Sequence, residues 1–566
     1  MLSADIVFLI CEQLRRTKDF NTLFSCSLAS KSFAAAALPN LWRIHELASF
    51  YTSEDTFNPE KWMLLWRSLI LSSFPGSTYA PYLHYIRVLS LRDLENLLDE
   101  RFFKVTGRHD FFTGKLEQFS ELYNTLERSK SKYEPDQSSA IRQTSIAIGD
   151  HITKYCDTIL KSTGRKSVLE ELDCRDVPTQ ALHQMIPRIT GLKSLRLWDG
   201  CHLDSVAPLI RINCPRFESL TIYLWVSGDV DEDFAEFLND LQPQTLKHLQ
   251  VLSFIDCESL TAAALSKHNA SLLSLDIGSR SVEFVQSLPL IGSCSQLTLL
   301  HVSLGNLGAA TSKHTLTEVS NWLSTCTSLT DLKFCHGLGD LGPKILVSVL
   351  QSGINLTRLH LEYYNGASAQ DFHRALVAQA TSLEYLTLSG DAEDMDPDDL
   401  VTSISKLTKL QKLHLLSISN YFADKHIRLV ANSLPLLQEL VVGGWCVTDF
   451  VWSVLSTLQS LRRLDLNTFS TFSLTGILDY IDCLSEGNKG LVLSITGQDP
   501  FHWLNQSEQD IVQATLAAKV DGRFEFTVGR GEAFLFLARL DPVGKRAART
   551  DLLEAKMFQD NSLSDD

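Results

Sequence analysis

A six-residue pattern with apolar residues at its first, fourth and sixth positions recurs twelve times between residues 169 and 466. Five copies begin at residues 329, 356, 383, 410 and 437, each 27 residues after the previous one. Chance does not produce this register, so the pattern predicts a stack of equivalent structural units. The copies are LEELDC (Leu169), LKSLRL (Leu192), FESLTI (Phe217), LQVLSF (Leu249), LLSLDI (Leu272), LTLLHV (Leu297), LTDLKF (Leu329), LTRLHL (Leu356), LEYLTL (Leu383), LQKLHL (Leu410), LQELVV (Leu437) and LRRLDL (Leu461).

The spacing within each copy predicts a β-strand followed by a helix. The last two apolar positions are two residues apart, so they point to one side of a strand, and the residue between them points to the other. The stretch from Asp396 to Leu407 is typical of the following helix, since Asp396 can cap it and Leu400, Ile404 and Leu407 form one apolar stripe. A single unit cannot bury its leucines alone. Stacked units therefore predict an α/β solenoid with a curved parallel sheet inside and helices outside.

These units resemble the leucine-rich repeat family. Cys214, Cys294 and Cys326 each stand three residues before a repeat, and Cys257 stands three residues after one, as in the cysteine-containing subtype. We interpret these cysteines as buried packing residues. The resemblance covers roughly residues 169–466 and implies a fold without specifying a function.

The first 42 residues predict a small cluster of short helices. Ser3, Asp19 or Thr17, and Ser30 are candidate helix caps, and Pro39 is expected to end the third helix. An apolar series runs through these helices at Ile6, Leu9, Ile10 and Leu14 and ends on Leu41 and Trp42. This pattern resembles the F-box, although Ser3 stands where the family has proline and Phe33 where it often has tryptophan. The resemblance implies adaptor contacts for Leu2, Ile6, Leu9, Ile10, Leu14, Leu23, Cys26, Leu28, Phe33, Leu41 and Trp42, with Asp19 and Phe20 also matching the pattern. The alternative interpretation is a plain N-terminal cap on the repeats.

The rest of the chain is divided by its pattern. We expect an F-box-like domain at 1–45 and a helical linker or insert at 46–168 with a first strand near 86–91. The solenoid is expected at 169–486, a C-terminal cap at 487–545 and a loose acidic tail at 546–566. Helices are predicted at 61–73, 94–128, 141–160 and 508–519, closing strands at 491–495 and 524–528, and a polar loop at 129–139.

No catalytic motif stands out. The sequence contains no Walker, dinucleotide-binding, nucleophile-elbow or zinc-protease motif, and no Cys-x-x-Cys pair. His301, His360 and His414 occupy the same position on three different predicted strands. The strand that carries Lys333 lies between the first two, and the strand that carries Thr387 lies between the last two. Alternate strands lie nearly 10 Å apart, which is too far for histidines to share one zinc ion. We expect no metal, no cofactor and no enzymatic activity.

The charge and the N-terminus constrain partners and location. The net charge is −16, so general nucleic-acid binding is not expected. No basic segment precedes the apolar stretch that starts at Ile6, and no segment is apolar enough for a membrane span. We expect a cytoplasmic or nuclear protein with reduced cysteines.

The concave sheet face is the expected working surface. One candidate target-binding patch is aromatic and apolar and comprises Arg196, Trp198, Tyr223 and Ile255. It is either an interface hot spot or a surface covered by the insert. A second patch is cationic and comprises Lys333, Arg358, His360, Lys412 and His414. It either binds an acidic or phosphorylated segment or is ordinary solvated charge, the latter favoured by nearby Glu362 and Glu439.

The F-box resemblance implies a function in ubiquitin transfer. The chain would be the substrate-recognition subunit of a cullin–RING ubiquitin ligase, a non-catalytic role. The helices would hold a Skp-type adaptor, and through it a cullin, while the repeats hold an unknown target protein. The alternative is a leucine-rich-repeat scaffold for protein interactions without a ligase.

Overall fold

The computed structural model describes residues 3–17, 19–42, 59–100, 103–124, 137–163, 168–175, 177–201, 203–225, 229–305, 313–335, 341–364, 369–390, 395–419, 421–444, 447–468, 472–497 and 504–528. The chain divides into two compact units, Met1–Asn306 and Leu307–Asp566. Each unit is described by itself.

The first unit contains a ladder of parallel strands in sequence order. Each strand pairs with the next in the chain, and the fourth position of the repeats is aligned across the ladder through Leu89, Leu172, Leu195, Leu220, Leu249, Leu275 and Leu300. The strands are β1 (Val88–Ser90), β2 (Glu171–Cys174), β3 (Ser194–Asp199), β4 (Ser219–Leu224), β5 (His248–Ile255), β6 (Ser274–Ser279) and β7 (Leu299–Leu304).

Helices precede this ladder and connect its strands. The N-terminal helices are α1 (Ala4–Arg16), α2 (Phe20–Ala29) and α3 (Lys31–Leu41). The insert contains α4 (Pro59–Leu71), α5 (Leu91–Asp99), α6 (Arg108–Phe111), α7 (Glu117–Asn124) and α8 (Gln137–Thr163). The connecting helices are α9 (Thr179–Met185), α10 (Leu203–Asn213), α11 (Val230–Asp240), α12 (Ser259–Leu265) and α13 (Glu283–Ser287).

The second unit repeats the same strand and helix order. Its parallel strands are β8 (Asp331–Cys335), β9 (Arg358–Tyr364), β10 (Tyr385–Gly390), β11 (Lys412–Leu416), β12 (Glu439–Gly444), β13 (Arg463–Thr468), β14 (Val492–Gly497) and β15 (Arg523–Val528). Its helices are α14 (Lys313–Thr325), α15 (Leu341–Gln351), α16 (Gln370–Leu376), α17 (Asp398–Ile404), α18 (Asp424–Ser433), α19 (Trp452–Leu455), α20 (Leu474–Asp482) and α21 (Gln506–Val520).

The paired leucines form the core between strands and helices, as the period-two spacing predicts. Leu359 and Leu361 on β9 are both buried, and Leu361 packs closely on α15, where a Cβ atom at Gly342 would lie 2.7 Å from Leu361 Cδ1. The residues between them project from the other side of the sheet, which we call the open face. The predicted leucine-rich-repeat α/β solenoid is therefore confirmed, and the cysteines Cys214, Cys257, Cys294 and Cys326 are buried within it as expected.

One repeat has a different register from the predicted one. In β5, Leu249 aligns with Leu220 and Val251 with Ile222, so this copy begins at Leu246 and not at Leu249. LKHLQV and LQVLSF overlap and both fit the repeat pattern, so the sequence alone does not choose between the two registers. A bulge then follows in β5, and it depends on Gly278 in β6, where a Cβ atom would lie 2.6 Å from the Ser253 carbonyl oxygen.

The regions outside the twelve copies match the predicted elements in part. The first strand predicted near residues 86–91 corresponds to β1, and the predicted closing strands are β14 and β15, which continue the parallel ladder with α21 between them. The helix predicted at 94–128 is wrong as one element, because a π-helical segment (Phe103–Gly107) and a 3-10 segment (Gly114–Leu116) lie between α5, α6 and α7. Pro39 does not end α3, which continues to Leu41. Residues 129–136 of the predicted loop and the whole tail at 546–566 lie outside the described residues. The loop prediction is wrong for residues 137–139, which form the start of α8.

Buried polar side chains connect successive repeats through hydrogen bonds to the backbone of a neighbouring repeat. The Asp231 carboxylate accepts from the N–H groups of Glu258, Leu260 and Thr261 at 2.7–3.0 Å. The buried Gln379 amide donates to two carbonyls and accepts from the Leu356 N–H. Such bonds satisfy loop backbone groups that the sheet leaves unpaired. Within the described part of the chain, every helix is too short or too polar to cross a membrane.

Candidate interaction surfaces

The N-terminal helices are each started by a side-chain cap, as the sequence predicts. The Ser3 hydroxyl accepts from the Ile6 N–H, the Asp19 carboxylate from the Thr22 N–H, and the Ser30 hydroxyl from the Phe33 N–H. These bonds satisfy N–H groups that have no partner within a helix. The three helices are therefore defined locally by their own sequence.

These helices enclose a small apolar core, which we call the N-terminal core. Its buried members are Val7, Cys11, Leu23, Ala36, Ala37 and Leu41, with Leu14, Cys26 and Phe33 packed against it. Trp42 is also buried and stacks on Tyr82 with a ring-centroid distance of 4.7 Å. Leu23, Leu41 and Trp42 were predicted to contact an adaptor, but their side chains are already buried within the chain.

The opposite side of α1 and α2 exposes apolar side chains, which we call the N-terminal apolar face. Leu9 is 61% exposed and Leu28 is 72% exposed, and Ile6 and Ile10 are also exposed. Phe24 belongs to the same face, and its four-residue spacing from Leu28 on α2 is the sequence signal for it. Phe8 is also exposed, but it lies two residues from both Ile6 and Ile10 and so does not share their side of α1. Leu2 lies outside the described residues.

A groove adjoins this face. Phe24 and Leu28 line it together with Leu38, Leu64 and Tyr79, and its volume is about 580 Å³. Leu64 is half exposed and Tyr79 is 90% exposed. Contiguous exposed apolar surface on a folded domain is typical of a binding site.

The aromatic patch on the open face of the first unit is in contact with the insert. Trp198 and Tyr223 stack with a centroid distance of 5.7 Å. The Arg92 guanidinium, from α5, lies 4.9 Å from the Tyr223 ring centroid, and the Arg175 guanidinium lies 5.3 Å from that of Trp198. Both rings are partly exposed. The insert thus reaches the patch without covering it completely.

Ile255 does not belong to this patch. The misassigned register of β5 placed it beside Tyr223, but Ile255 is completely buried. The residue that follows Val251 is Leu252, which is 52% exposed. Leu252 therefore follows the last apolar position of its repeat, as Trp198 and Tyr223 do in their own repeats.

A buried charge cluster joins α5 to the first strands. Arg92 pairs with Asp173 at 3.2 Å, and Arg196 pairs with Glu171 at 3.0 Å. Asp93 is a third carboxylate in this cluster and is 6% exposed. Burial, with Asp173 nearby, raises the pKa of Asp93 from its ordinary 3.8 to about 7. Arg196 is thus occupied by an ion pair within the chain.

The cationic patch of the second unit is paired with acids. Lys412 lies 2.5 Å and His414 3.3 Å from Glu439, and Arg358 lies 3.4 Å from Asp331. Arg358 and Lys412 also flank the Tyr385 ring at 4.9 and 5.3 Å from its centroid. The interpretation as balanced surface charge therefore describes this patch better than a free anion site.

The strand-position histidines are separated as predicted. Thr387 on β10 aligns with His360 on one side and His414 on the other, so these two histidines lie on alternate strands. His360 Nε2 instead lies 3.0 Å from Glu362 Oε1. In the first unit, His301 Nδ1 lies 3.8 Å from Asp276 Oδ2.

The fold and these surfaces define a leucine-rich-repeat solenoid protein with an N-terminal helical module. No family model matches the chain, and no curated protein does. Among solved structures, an internalin (inlF) from Listeria monocytogenes matches with 12% identity and a TM-score of 0.31, covering 56% of this chain and 89% of the internalin. The Rad7 and Elc1 complex from yeast matches with 13% identity and a TM-score of 0.37, covering 71% of this chain and 93% of the matched chain.

Proposed function

We propose that this protein is the substrate-recognition subunit of a cullin–RING ubiquitin ligase. The N-terminal helices dock a Skp-type adaptor, and the open face of the repeats holds a target protein. The chain supplies proximity, since a held target presents its lysines to the ubiquitin-carrying enzyme at a raised effective concentration.

The observation that carries this proposal is the two-sided packing of the N-terminal helices. One side forms the N-terminal core, while Ile6, Leu9, Ile10 and Leu28 remain exposed on the other. A module that served only to cap the repeats would turn its apolar residues inward. The scaffold alternative without a ligase therefore leaves the N-terminal apolar face unexplained, and adaptor docking accounts for it.

The open face supports a role in target binding through its aromatic side chains. Trp198 and Tyr223 are stacked, partly exposed and oriented by arginines. Rigid aromatic side chains surrounded by charged groups are frequent anchors of protein interfaces. Leu252 extends this surface with a further exposed apolar side chain.

The proposal is tested by binding to a purified Skp-type adaptor. The double variant Ile6→Glu/Ile10→Glu places two charges on the N-terminal apolar face, where the parent side chains are 46% and 41% exposed. We expect binding to weaken by about 3 kcal/mol, roughly a hundredfold in Kd, because buried apolar contacts are lost. Calorimetry measures the change, and circular dichroism checks the fold.

The matched control makes the same chemical change elsewhere. Leu436 and Phe450 are exposed apolar residues of the second unit, and the variant Leu436→Glu/Phe450→Glu should bind the adaptor like the parent chain. Equal binding by both double variants and the parent would refute docking through α1. Failure of the parent chain to bind the adaptor would leave the scaffold alternative.

A further inference from the structure

Three potential metal ligands meet at the open face of the second unit. Cys335 ends β8, and His360 and Glu362 lie on the neighbouring β9. Because Phe334 aligns with Leu361, the next residues, Cys335 and Glu362, are neighbours across the strands. One ligand atom from each of the three side chains lies within 4.8 Å of the other two.

The chemistry of this set is that of a zinc site. Cysteine sulfur, histidine nitrogen and carboxylate oxygen are the donors that zinc takes, at about 2.0–2.3 Å, and sites with three protein ligands keep a fourth position open. Cys335 is buried, whereas the side chains of His360 and Glu362 are 29% and 23% exposed. The site is therefore anchored in the sheet and accessible from the open face.

We propose that Cys335, His360 and Glu362 bind one zinc ion, with its fourth position accessible from the open face. That position accepts water or a donor side chain from a bound protein. The inference is independent of adaptor docking, since it concerns the second unit alone.

Proton and charge balance follow from the ligands. Burial raises the pKa of the Cys335 thiol to about 12, so the metal-free site carries a thiol and one carboxylate charge. Zinc displaces the thiol proton, which passes to the buffer, and the sulfur, imidazole nitrogen and carboxylate oxygen each form a bond to the metal. The contact between His360 and Glu362 is exchanged for these bonds. The bound site is then neutral.

Lys333 provides a discriminating prediction. It precedes Cys335 by two residues on β8 and lies near enough to influence the thiol. Its positive charge favours the metal-free site, which is negative, over the zinc-bound site, which is neutral. Lys333→Met should therefore increase metal affinity, whereas a purely structural role for the cluster predicts no such gain.

Cobalt(II) is the spectroscopic probe for the full-length protein. We expect one cobalt per chain at this site, with a sulfur-to-cobalt charge-transfer band that zinc abolishes by displacement. Cys335→Ser should remove the band. His360→Ala and Glu362→Gln should each weaken binding by more than the roughly tenfold to hundredfold typical of partners outside the metal shell.

The controls use residues of the same types outside the set. Cys326→Ser and Glu439→Gln should keep both the band and the affinity of the parent chain. Absence of a charge-transfer band in the parent, or an unchanged band in Cys335→Ser, would overturn the proposal. Weaker metal binding by Lys333→Met than by the parent chain would contradict the charge argument.

Discussion

Replacing Asp93 by asparagine should stabilise the first unit at neutral and alkaline pH. The cluster around Asp93 contains three carboxylates and two guanidiniums, and the guanidiniums of Arg92 and Arg196 pair with Asp173 and Glu171. Ionised Asp93 therefore adds an excess negative charge in a buried place. Asparagine has nearly the same shape and removes this charge.

The magnitude follows from the pKa of Asp93. The folded value is about 7 and the ordinary value is 3.8, so the folded chain binds the Asp93 proton more tightly than the unfolded chain. Below pH 3.8 Asp93 is protonated in both the folded and the unfolded chain, so it does not lower the free energy of unfolding. As the pH rises through the window between the two values, stability decreases, reaching a loss of about 4 kcal/mol above pH 7. Asp93→Asn lacks this loss.

The assay is denaturant unfolding of parent and variant across this pH window, followed by tryptophan fluorescence. We expect Asp93→Asn to be more stable at pH 8, with the difference shrinking steadily toward pH 4. The control Asp110→Asn removes one negative charge from a side chain that is 79% exposed. The reasoning would be refuted if the variant were less stable than the parent at pH 8, or if the difference between their free energies of unfolding did not change with pH.

Three further changes test the packing of the repeats by the same unfolding measurement. Gly278→Ala should cost about 1–3 kcal/mol because its Cβ meets the carbonyl of the bulged strand, whereas Gly305→Ala, with its nearest neighbour at 3.4 Å, should cost less. Gln379→Leu leaves buried backbone groups unpaired and should cost about 3 kcal/mol, unlike Gln438→Leu, which loses a single 3.5 Å contact. Burial lowers the pKa of His373 from 6.5 to about 4, so the parent should lose about 3 kcal/mol as pH falls through that window, and His373→Leu should not.

The repeating leucines made the strands of the ladder predictable from sequence. A side chain such as Leu359 must be buried, and its period-two partner Leu361 fixes the face. The register of β5 was not predictable in this way, because two overlapping patterns were equally apolar. Only the pairing of Leu249 with Leu220 distinguishes them. The wrong register of β5 predicts Ile255 in the surface patch, at the position that Leu252 occupies.

The surfaces were predictable where they depend on local sequence. The helical period places Ile6 and Ile10 on one face of α1, and the structure leaves both exposed. The sequence does not distinguish which apolar residues of the three helices face inward, so the F-box resemblance includes the buried Leu23 and Leu41 among its implied adaptor contacts. The contact of Arg92 with Tyr223 and the raised pKa of Asp93 depend on tertiary packing between the insert and the strands. Local patterns carry no signal for such contacts.

The central claim, that the N-terminal helices dock an adaptor, is tested most directly by co-purification. Full-length protein and a version lacking residues 1–45 are each mixed with a Skp-type adaptor and separated by size. We predict that the full-length chain forms a stable complex and that the shortened chain does not. Absence of a complex with the full-length chain, or equal binding by both, would contradict the account.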